Sequence, residues 1–293
     1  MFWGARAFNQ PLNNWNVGNV TNMDFMFHNA SAFNQDISGW DVDQVSGYSG
    51  IFDGATKMNE NPFYMPPRFR PSNWRSSGNF FITRWNISNT NTSKYASGES
   101  NSNQIKLPLH SSGRYDFTVD WGDDSQSTIT RHDQAAITHS YAAAGEYTVM
   151  IGGTIEGFGF WRDAGFSGYF DRVVGDSAKL IDVRSWGPVQ LHSHGGQFMR
   201  ARNLGGFPAT GTLDLSNVTD MSHMFHGAHA FNQPPDNWNV GNVTDMSYMF
   251  QNAGSFNQDI RNWNVDQVRS YEYMFHYAFM MNANPQYKPP RFR

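Results

Sequence analysis

An internal repeat of 25 residues constrains this chain more than any other feature of its sequence. Copies that share apolar and Phe-Asn-Gln positions begin at six residues: Met1, Met26, Ile51, Met224, Met249 and Met274. A short unit of this kind cannot bury its apolar face alone, so a fixed period indicates copies that stack on one another. The chain is therefore predicted to contain solenoid segments.

A longer duplication lies on top of the short repeat. Residues 1–70 align without a gap on residues 224–293, at an offset of 223, and roughly two-thirds of the aligned positions are identical. Met1 falls at the mid-repeat position that Met224 occupies. Two interpretations stay open: the chain is an excerpt of a longer tandem array with a 223-residue unit, or a duplicated gene with a truncated start.

One repeat can be interpreted as a short strand followed by a short helix. The apolar residues Met23, Met26, Phe27 and Ala30 have the i, i+3, i+4, i+7 spacing of one helix face. Residues 15–17, Trp-Asn-Val, alternate large apolar with polar side chains, as a strand does.

Stacking would place each recurring side chain above its counterpart in the next repeat, as a structural ladder. A buried asparagine must be hydrogen-bonded, and its amide can reach backbone groups of its own or the next repeat. A row of asparagines that binds a ligand is the alternative. The predicted ladder residues are Phe8, Asn9, Trp15, Phe33, Asn34, Trp40, Phe231, Asn232, Trp238, Phe256, Asn257 and Trp263.

Composition changes between the two repeat regions. We predict solenoid repeats over 1–67, a Pro/Ser/Arg-rich linker over 68–78, an all-β domain over 79–178, and a second repeat array over 179–293. The β prediction rests on aromatic and β-branched runs such as 115–119 and 147–151, and favours a sandwich of two antiparallel sheets.

Two motifs of the middle region carry a family resemblance. Residues 119–125, Val-Asp-Trp-Gly-Asp-Asp-Ser, and residues 139–149, His-Ser-Tyr-Ala-Ala-Ala-Gly-Glu-Tyr-Thr-Val, resemble the PKD-like immunoglobulin-like fold. The resemblance implies that Trp121 is a core residue between sheets and that Gly145 is a turn before a strand. Asp124 stands where that family has a second glycine.

The repeats, with their Phe-Asn-Gln, Trp-x-Val and Met-Phe positions, resemble those of the BspA-like leucine-rich-repeat surface proteins. That resemblance implies an extracellular or cell-surface protein with adhesive or surface-layer roles and no catalytic residue. The resulting fold class is α+β and multi-domain, with leucine-rich-repeat-like solenoid segments flanking an immunoglobulin-like, PKD-like sandwich.

Composition excludes several function classes. The 293 residues include no cysteine, which excludes disulfides, thiolate nucleophiles and Cys-bound zinc. A net charge of −4 gives no basic field for nucleic acid. The sequence has no apolar run of the roughly 18 residues that a membrane span needs, and no signal-peptide pattern opens it. It shows no G-x-S-x-G, P-loop or dinucleotide motif. We therefore predict no enzyme activity and no cofactor.

Three minor site candidates remain. His192 and His194 invite a zinc interpretation, although at i, i+2 they share a side only on a strand and lack a third ligand nearby in sequence. Asp120, Asp123 and Asp124 are a calcium candidate, with capping of backbone amides as the alternative. Asn86 and Asn91 are candidate glycan sites, since each begins an Asn-x-Ser/Thr sequence in a polar loop.

Two functions fit these observations. The first is an extracellular structural and adhesive protein, the unit of a filament of alternating β-sandwich and solenoid beads that self-associate head to tail. The alternative is a monomeric cell-surface adhesin that binds a host protein or glycan through its solenoid face or β-domain loops. Trp74, Trp161 and Phe166 lie outside the repeat pattern and are candidates for that contact, with a packing role for each as the favoured alternative.

Overall fold

Strand-forming runs from the middle of the chain pair into one six-stranded sheet in a computed structural model that describes residues 1–70, 80–90, 96–160, 173–207, 213–234 and 238–293. The strands are β1 (Phe81–Asn86), β2 (Ala96–Ser97), β3 (Gln104–Lys106), β4 (Leu109–Asp120), β5 (Gln126–Ile129), β6 (Thr138–Ser140), β7 (Glu146–Phe158), β8 (Val173–Val174), β9 (Leu180–Ser185) and β10 (Val189–Leu191).

The main sheet has the order β5-β4-β7-β1-β9, and β10 joins β7. Its pairs along that path are antiparallel, whereas β10 runs parallel to β7. β7 is 13 residues long and pairs with β1, β4 and β10, so these strands belong to one sheet. The predicted sandwich of two sheets is replaced by this sheet with two two-stranded ones, β2-β8 and β3-β6.

The described residues contain only two short α-helices, α1 (Thr56–Glu60) and α2 (Phe279–Asn282). Single 3-10 turns cover Pro62–Tyr64, Pro67–Phe69, Ala135–Ile137, Ser177–Lys179, Pro285–Tyr287 and Pro290–Phe292. Neither α-helix of the described part is long and apolar enough to cross a bilayer.

The prediction of an α+β protein with leucine-rich-repeat-like solenoid segments is wrong. The described residues are predominantly β, and within residues 23–30, predicted as a helix, residues 24–29 form consecutive turns. Residues 15–17, predicted as a strand, are likewise outside any strand. The periodicity of 3.6 was misleading because a chain of tight turns can also place i, i+3, i+4 and i+7 on one side.

Hydrogen bonding explains why no helix forms in the repeats. Phe25 N and Phe27 N donate to Ser49 O at 2.9 Å and Ile51 O at 3.0 Å, on the next repeat. These amides are therefore unavailable to an i→i−4 ladder. Phe25 also has φ 54°, a left-handed conformation that a right-handed helix excludes.

The chain divides into unit 1, Met1–Asn79, and unit 2, Phe80–Arg293. Unit 1 has its own core, in which Phe27 and Phe33 are fully buried. The core of unit 2 runs without a break from the sheet through the repeats to Phe292. Strand β9 pairs with β1, so the sheet continues past the predicted boundary at 178/179.

Candidate functional site

Recurring phenylalanines and asparagines of neighbouring repeats are brought into contact. The rings of Phe8 and Phe33 stack with centroids 5.8 Å apart, and Asn34 N donates to Asn9 Oδ1 at 2.9 Å. The second copy has the same contacts between Phe231 and Phe256 (5.9 Å) and between Asn257 N and Asn232 Oδ1 (2.8 Å). Because the asparagine oxygens are engaged by the next repeat, this arrangement favours a structural ladder over a ligand-binding row.

The predicted tryptophan ladder differs between the copies. Trp238 and Trp263 stack at 6.2 Å. In unit 1, Trp40 Nε1 donates to Leu12 O at 2.9 Å, and the partly exposed Trp15 lies 5.8 Å from the ring of Phe2.

The three aspartates proposed for calcium form a capped turn. Gly122 N donates to Asp120 Oδ1 at 2.9 Å, and Asp123 accepts hydrogen bonds from Ser125 and lies 2.7 Å from His139 Nε2. Burial acts to raise the pKa of Asp123, but hydrogen bonds from Ser125 and His139 outweigh it, so the pKa is lowered. Asp124 has φ 66°, the left-handed conformation for which the family pattern has glycine. The geometry matches the capping alternative.

His192 and His194 meet a third imidazole that is distant in sequence. The ring of His110 lies 5.1 Å from that of His192 and 4.4 Å from that of His194. Burial, together with the two neighbouring imidazoles, lowers the pKa of His192 to about 3. Among the described residues, no three His, Cys, Asp or Glu side chains are placed to hold a metal ion. The cluster therefore places the buried imidazole of His192 against the partly buried His110 and the exposed His194.

Of the remaining site candidates from the sequence, only Asn86 lies among the described residues. Asn86 ends β1, and its Oδ1 accepts a hydrogen bond from Ser88 N at 3.0 Å. Asn91 lies outside the described residues, as do the three aromatic candidates Trp74, Trp161 and Phe166.

Unit 2 contains a buried ion pair that no sequence motif predicted. Lys179 Nζ lies 3.3 Å from Asp176 Oδ1, and both side chains are fully buried. The ammonium also donates to Ser100 O, Asn101 O and Gln104 O, at 2.9 to 3.1 Å. This pair connects the loop before β3 to the segment before β9. These hydrogen bonds go to backbone groups of that loop and of β3, so the role of the pair is structural.

The surface with the clearest binding character lies on the last repeat of unit 2. We call it the aromatic surface: Tyr271, Tyr273, Tyr277, Phe279 and Met280. Tyr273 is 58% exposed, Tyr277 52% and Phe279 69%. Folded proteins rarely leave several large apolar side chains together in solvent unless the patch binds something.

Ring contacts make the aromatic surface continuous with a row on the preceding repeats. His223 stacks on Tyr248 at 4.6 Å, and Tyr248 stacks on Tyr273 at 5.2 Å. Tyr277 lies 6.1 Å from the ring of Phe279.

The backbone of the aromatic surface is strained where tyrosine is present. Tyr273 has φ 55° and Tyr277 φ 60°, values that glycine adopts freely and tyrosine does not. The aligned residues of the first copy are Gly50, with φ 58°, and Gly54, with φ 73°. The same turn thus exists with glycine, so the fold does not require the two tyrosines.

The closing segments explain why the aromatic surface stays uncovered. In the second copy, Ile260 N donates to Tyr287 O at 2.9 Å and Phe292 packs 4.8 Å from Tyr271. In the first copy, Ile37 N donates in the same way to Tyr64 O at 2.9 Å. Each segment covers one side of its last repeat, and in the second copy the side of 273–280 stays open. Sequence analysis missed this surface, although aligning the copies shows Gly-to-Tyr changes at both positions.

Comparison with known proteins finds one family. A family described as "Mycoplasma protein of unknown function, DUF285" matches residues 1–106 and 175–287. No curated protein and no solved structure matches the chain significantly.

Proposed function

We propose that this protein acts outside the cell as a non-catalytic adhesive protein. The chain belongs to the family described as "Mycoplasma protein of unknown function, DUF285", and the proposal starts from that membership. In this proposal the aromatic surface binds a protein or glycan on another surface. The resemblance of the repeats to BspA-like surface proteins supports the location and the adhesive role.

The observation that carries the proposal is the pair of tyrosines at left-handed backbone positions. Such a residue costs roughly 1–2 kcal/mol relative to glycine. The same left-handed turn contains Phe25 and Asn29 in one repeat and Tyr248 and Asn252 in another. The last repeat is distinguished by a tyrosine at both positions. Tyr273 and Tyr277 accept that cost on the surface, where they add little to the core. A binding role accounts for the cost, because tyrosine offers a large contact area with few rotatable bonds and a hydroxyl at its tip.

The test exchanges the aromatic surface for the residues of the first copy. The variant Tyr273→Gly/Tyr277→Gly/Phe279→Thr/Met280→Lys takes residues 50, 54, 56 and 57 as its template, so the turn it needs already exists in this chain. Wild type and variant are applied to a printed array of defined oligosaccharides and purified extracellular matrix proteins. We expect the variant to lose at least about tenfold in affinity, the loss of one aromatic anchor.

The matched control is Trp15→Ala, which removes a partly exposed aromatic ring from unit 1 and leaves the aromatic surface intact. Binding to no array component, or equal binding by the four-residue variant, would contradict the proposal. Circular dichroism and the melting temperature of each variant establish that it is folded.

A filament is the second candidate, and the equivalence of the two copies favours it. Gln35 Nε2 donates to Asn9 Oδ1 at 2.8 Å, and Gln258 Nε2 donates to Asn232 Oδ1 at 2.9 Å. Identical inter-repeat contacts would let both copies offer equivalent surfaces, which an open filament requires.

Negative-stain electron microscopy of native material, with its mass on a denaturing gel, tests the filament. Filaments that give a band near 33.3 kDa would mean non-covalent assembly, and a much heavier band would mean a covalent tandem array. Isolated monomers would exclude the filament and leave the adhesin.

A further inference from the structure

A second surface feature of unit 2 is a small basic pocket between consecutive repeats. It has a volume of about 90 Å³ and is lined by Arg200, Arg202, His226, Gly227, His229 and Asn252. A few tens of Å³ suffice for one water molecule, so the pocket has room for one small polyatomic ion. Of the described residues that line it, none is acidic.

Backbone hydrogen bonds fix the two walls of the pocket. Arg200 N donates to His226 O at 2.7 Å, and Ala230 N donates to Arg202 O at 3.2 Å. One wall therefore carries both arginines and the facing wall carries His226 and His229.

Two backbone features bring Arg200 close to the pocket floor. Arg200 has φ 56°, although its side chain is large, and Gly227 has φ 70°. A Cβ atom on Gly227 would lie 3.3 Å from Arg200 Cγ, so glycine lets the arginine stem approach. Both φ values belong to a left-handed turn that recurs in the following repeats, for example at Asn252 with φ 58°.

We propose that the basic pocket binds one tetrahedral oxyanion, a sulfate or phosphate group. Guanidinium groups donate several hydrogen bonds in a fixed fork that matches such oxygens. The two arginines stay charged at every physiological pH, and the imidazoles supply further donors.

The protonation of His226 should respond to the anion. Burial, together with the neighbouring Arg200 and His229, lowers the pKa of His226 to about 4, while a hydrogen bond with Gln251 acts in the opposite direction. The groups that face it are Arg200 and Arg202 from the preceding repeat, His223 and His229 from its own, and Gln251 from the next. A bound anion would offset the cationic neighbours and raise this pKa. Linkage then requires tighter binding as the pH falls from 7 to 5.

The basic pocket adjoins the row that leads to the aromatic surface. The rings of His226 and His223 are 5.5 Å apart, and His223 stacks on Tyr248. A sulfate or phosphate ester on the adhesion partner could therefore be bound together with its apolar groups. Only this last step rests on the proposed function.

The experiment titrates the full chain with sodium sulfate while chloride holds the ionic strength constant. NMR of ¹³C-labelled histidine rings reports the binding, with the His226 signal assigned from His226→Gln. We expect a saturable shift of His226 and a rise in its pKa. Arg200→Gln/Arg202→Gln should weaken sulfate binding by at least about tenfold, since two charge-assisted contacts are lost.

The matched control is Arg261→Gln, which removes the same charge from an exposed arginine that pairs with Asp259. It should bind sulfate like wild type. A non-saturable shift, or equal binding by the double arginine variant and wild type, would overturn the proposal. If the double variant melts early, Arg202→Gln alone replaces it.

Parallel titrations distinguish the ligand chemistry and the two proposals. Inorganic phosphate should bind like sulfate, and equal binding of acetate would overturn the tetrahedral assignment. The four-residue variant of the aromatic surface should keep sulfate binding. For the wild-type chain, array binding without saturable sulfate binding would overturn the basic pocket alone, and sulfate binding without array binding would overturn the aromatic surface alone.

Discussion

The two copies of the 70-residue segment share their interior and differ on the side of their last repeat. Phe27 and Phe250 are both fully buried in phenylalanine stacks, with neighbouring rings at 4.1 and 3.9 Å. On the surface, the first copy has Gly50 and Gly54 at the aligned positions where the second copy has Tyr273 and Tyr277.

This difference separates what holds the repeats together from what they present to solvent. Stacking fixes the buried positions, because a change there would affect two neighbouring repeats at once. The left-handed surface positions contribute no core contact, so glycine and tyrosine both fit the same turn. A surface is thereby free to acquire binding residues at a modest cost in stability.

The largest expected effect is the truncation of the matched core phenylalanines. Phe27→Ala and Phe250→Ala should each lower the free energy of unfolding of their unit by about 3–5 kcal/mol, through lost burial and a cavity. Denaturant unfolding measures both. Phe25→Ala, which removes an exposed ring, should cost far less. Losses that differ by more than about 2 kcal/mol, beyond the spread expected at fixed chemistry, would show that the copies are not energetically equivalent.

Acid should destabilise unit 2 through its buried imidazoles. The pKa of His192 is about 3 in the folded chain and near 6.5 unfolded. Below pH 6.5 the unfolded state therefore binds more protons, and stability falls by up to about 1.4 kcal/mol per pH unit per such histidine.

Thermal melts from pH 7 to 4 measure this loss. His192→Phe keeps an aromatic ring without the titrating nitrogen, so its stability should depend less on pH. An equal pH dependence in wild type and variant would show that His192 is not responsible.

Removing the asparagine ladder should have a smaller effect that is equal in both copies. Asn9 Oδ1 and Asn232 Oδ1 each accept two hydrogen bonds from the next repeat. Asn9→Ala and Asn232→Ala should cost about 0.5–1.5 kcal/mol, because these exposed donors lose their acceptor and bind water instead. Asn→Asp keeps the acceptor and should cost less in denaturant unfolding. An effect in one copy alone would break the equivalence.

The smallest expected effect is on the aromatic surface, where glycine should be more stabilising than alanine, the opposite of the usual order. Tyr277→Gly should be more stable than Tyr277→Ala by about 1 kcal/mol, since only glycine relieves the left-handed conformation. Gly54→Ala should lose a similar amount in the first copy. Thermal unfolding compares the three, and a more stable Tyr277→Ala would contradict the strain on which the proposed function rests.

Sequence reasoning succeeded where one residue's neighbours recur at a fixed distance. The 25-residue period anticipated which side chains meet, such as Phe231 with Phe256. It failed for the backbone of residues 23–30, because helical spacing does not reveal whether an amide bonds within its own turn or to the next repeat. The cluster of His110 with His192 and the pair of Asp176 with Lys179 were invisible because their surroundings come from distant segments.

The sequence by itself determined the repeat length, the duplication at an offset of 223 and which residue types recur at each position of the repeat, since each follows from self-similarity along one chain. Only the tertiary structure decided that the repeats are consecutive turns and that β9 extends the sheet of β1. It also decided that Tyr273, Tyr277 and Arg200 occupy left-handed positions on the surface. These properties depend on which distant backbone groups pair, and pairing is set by the whole fold rather than by local composition.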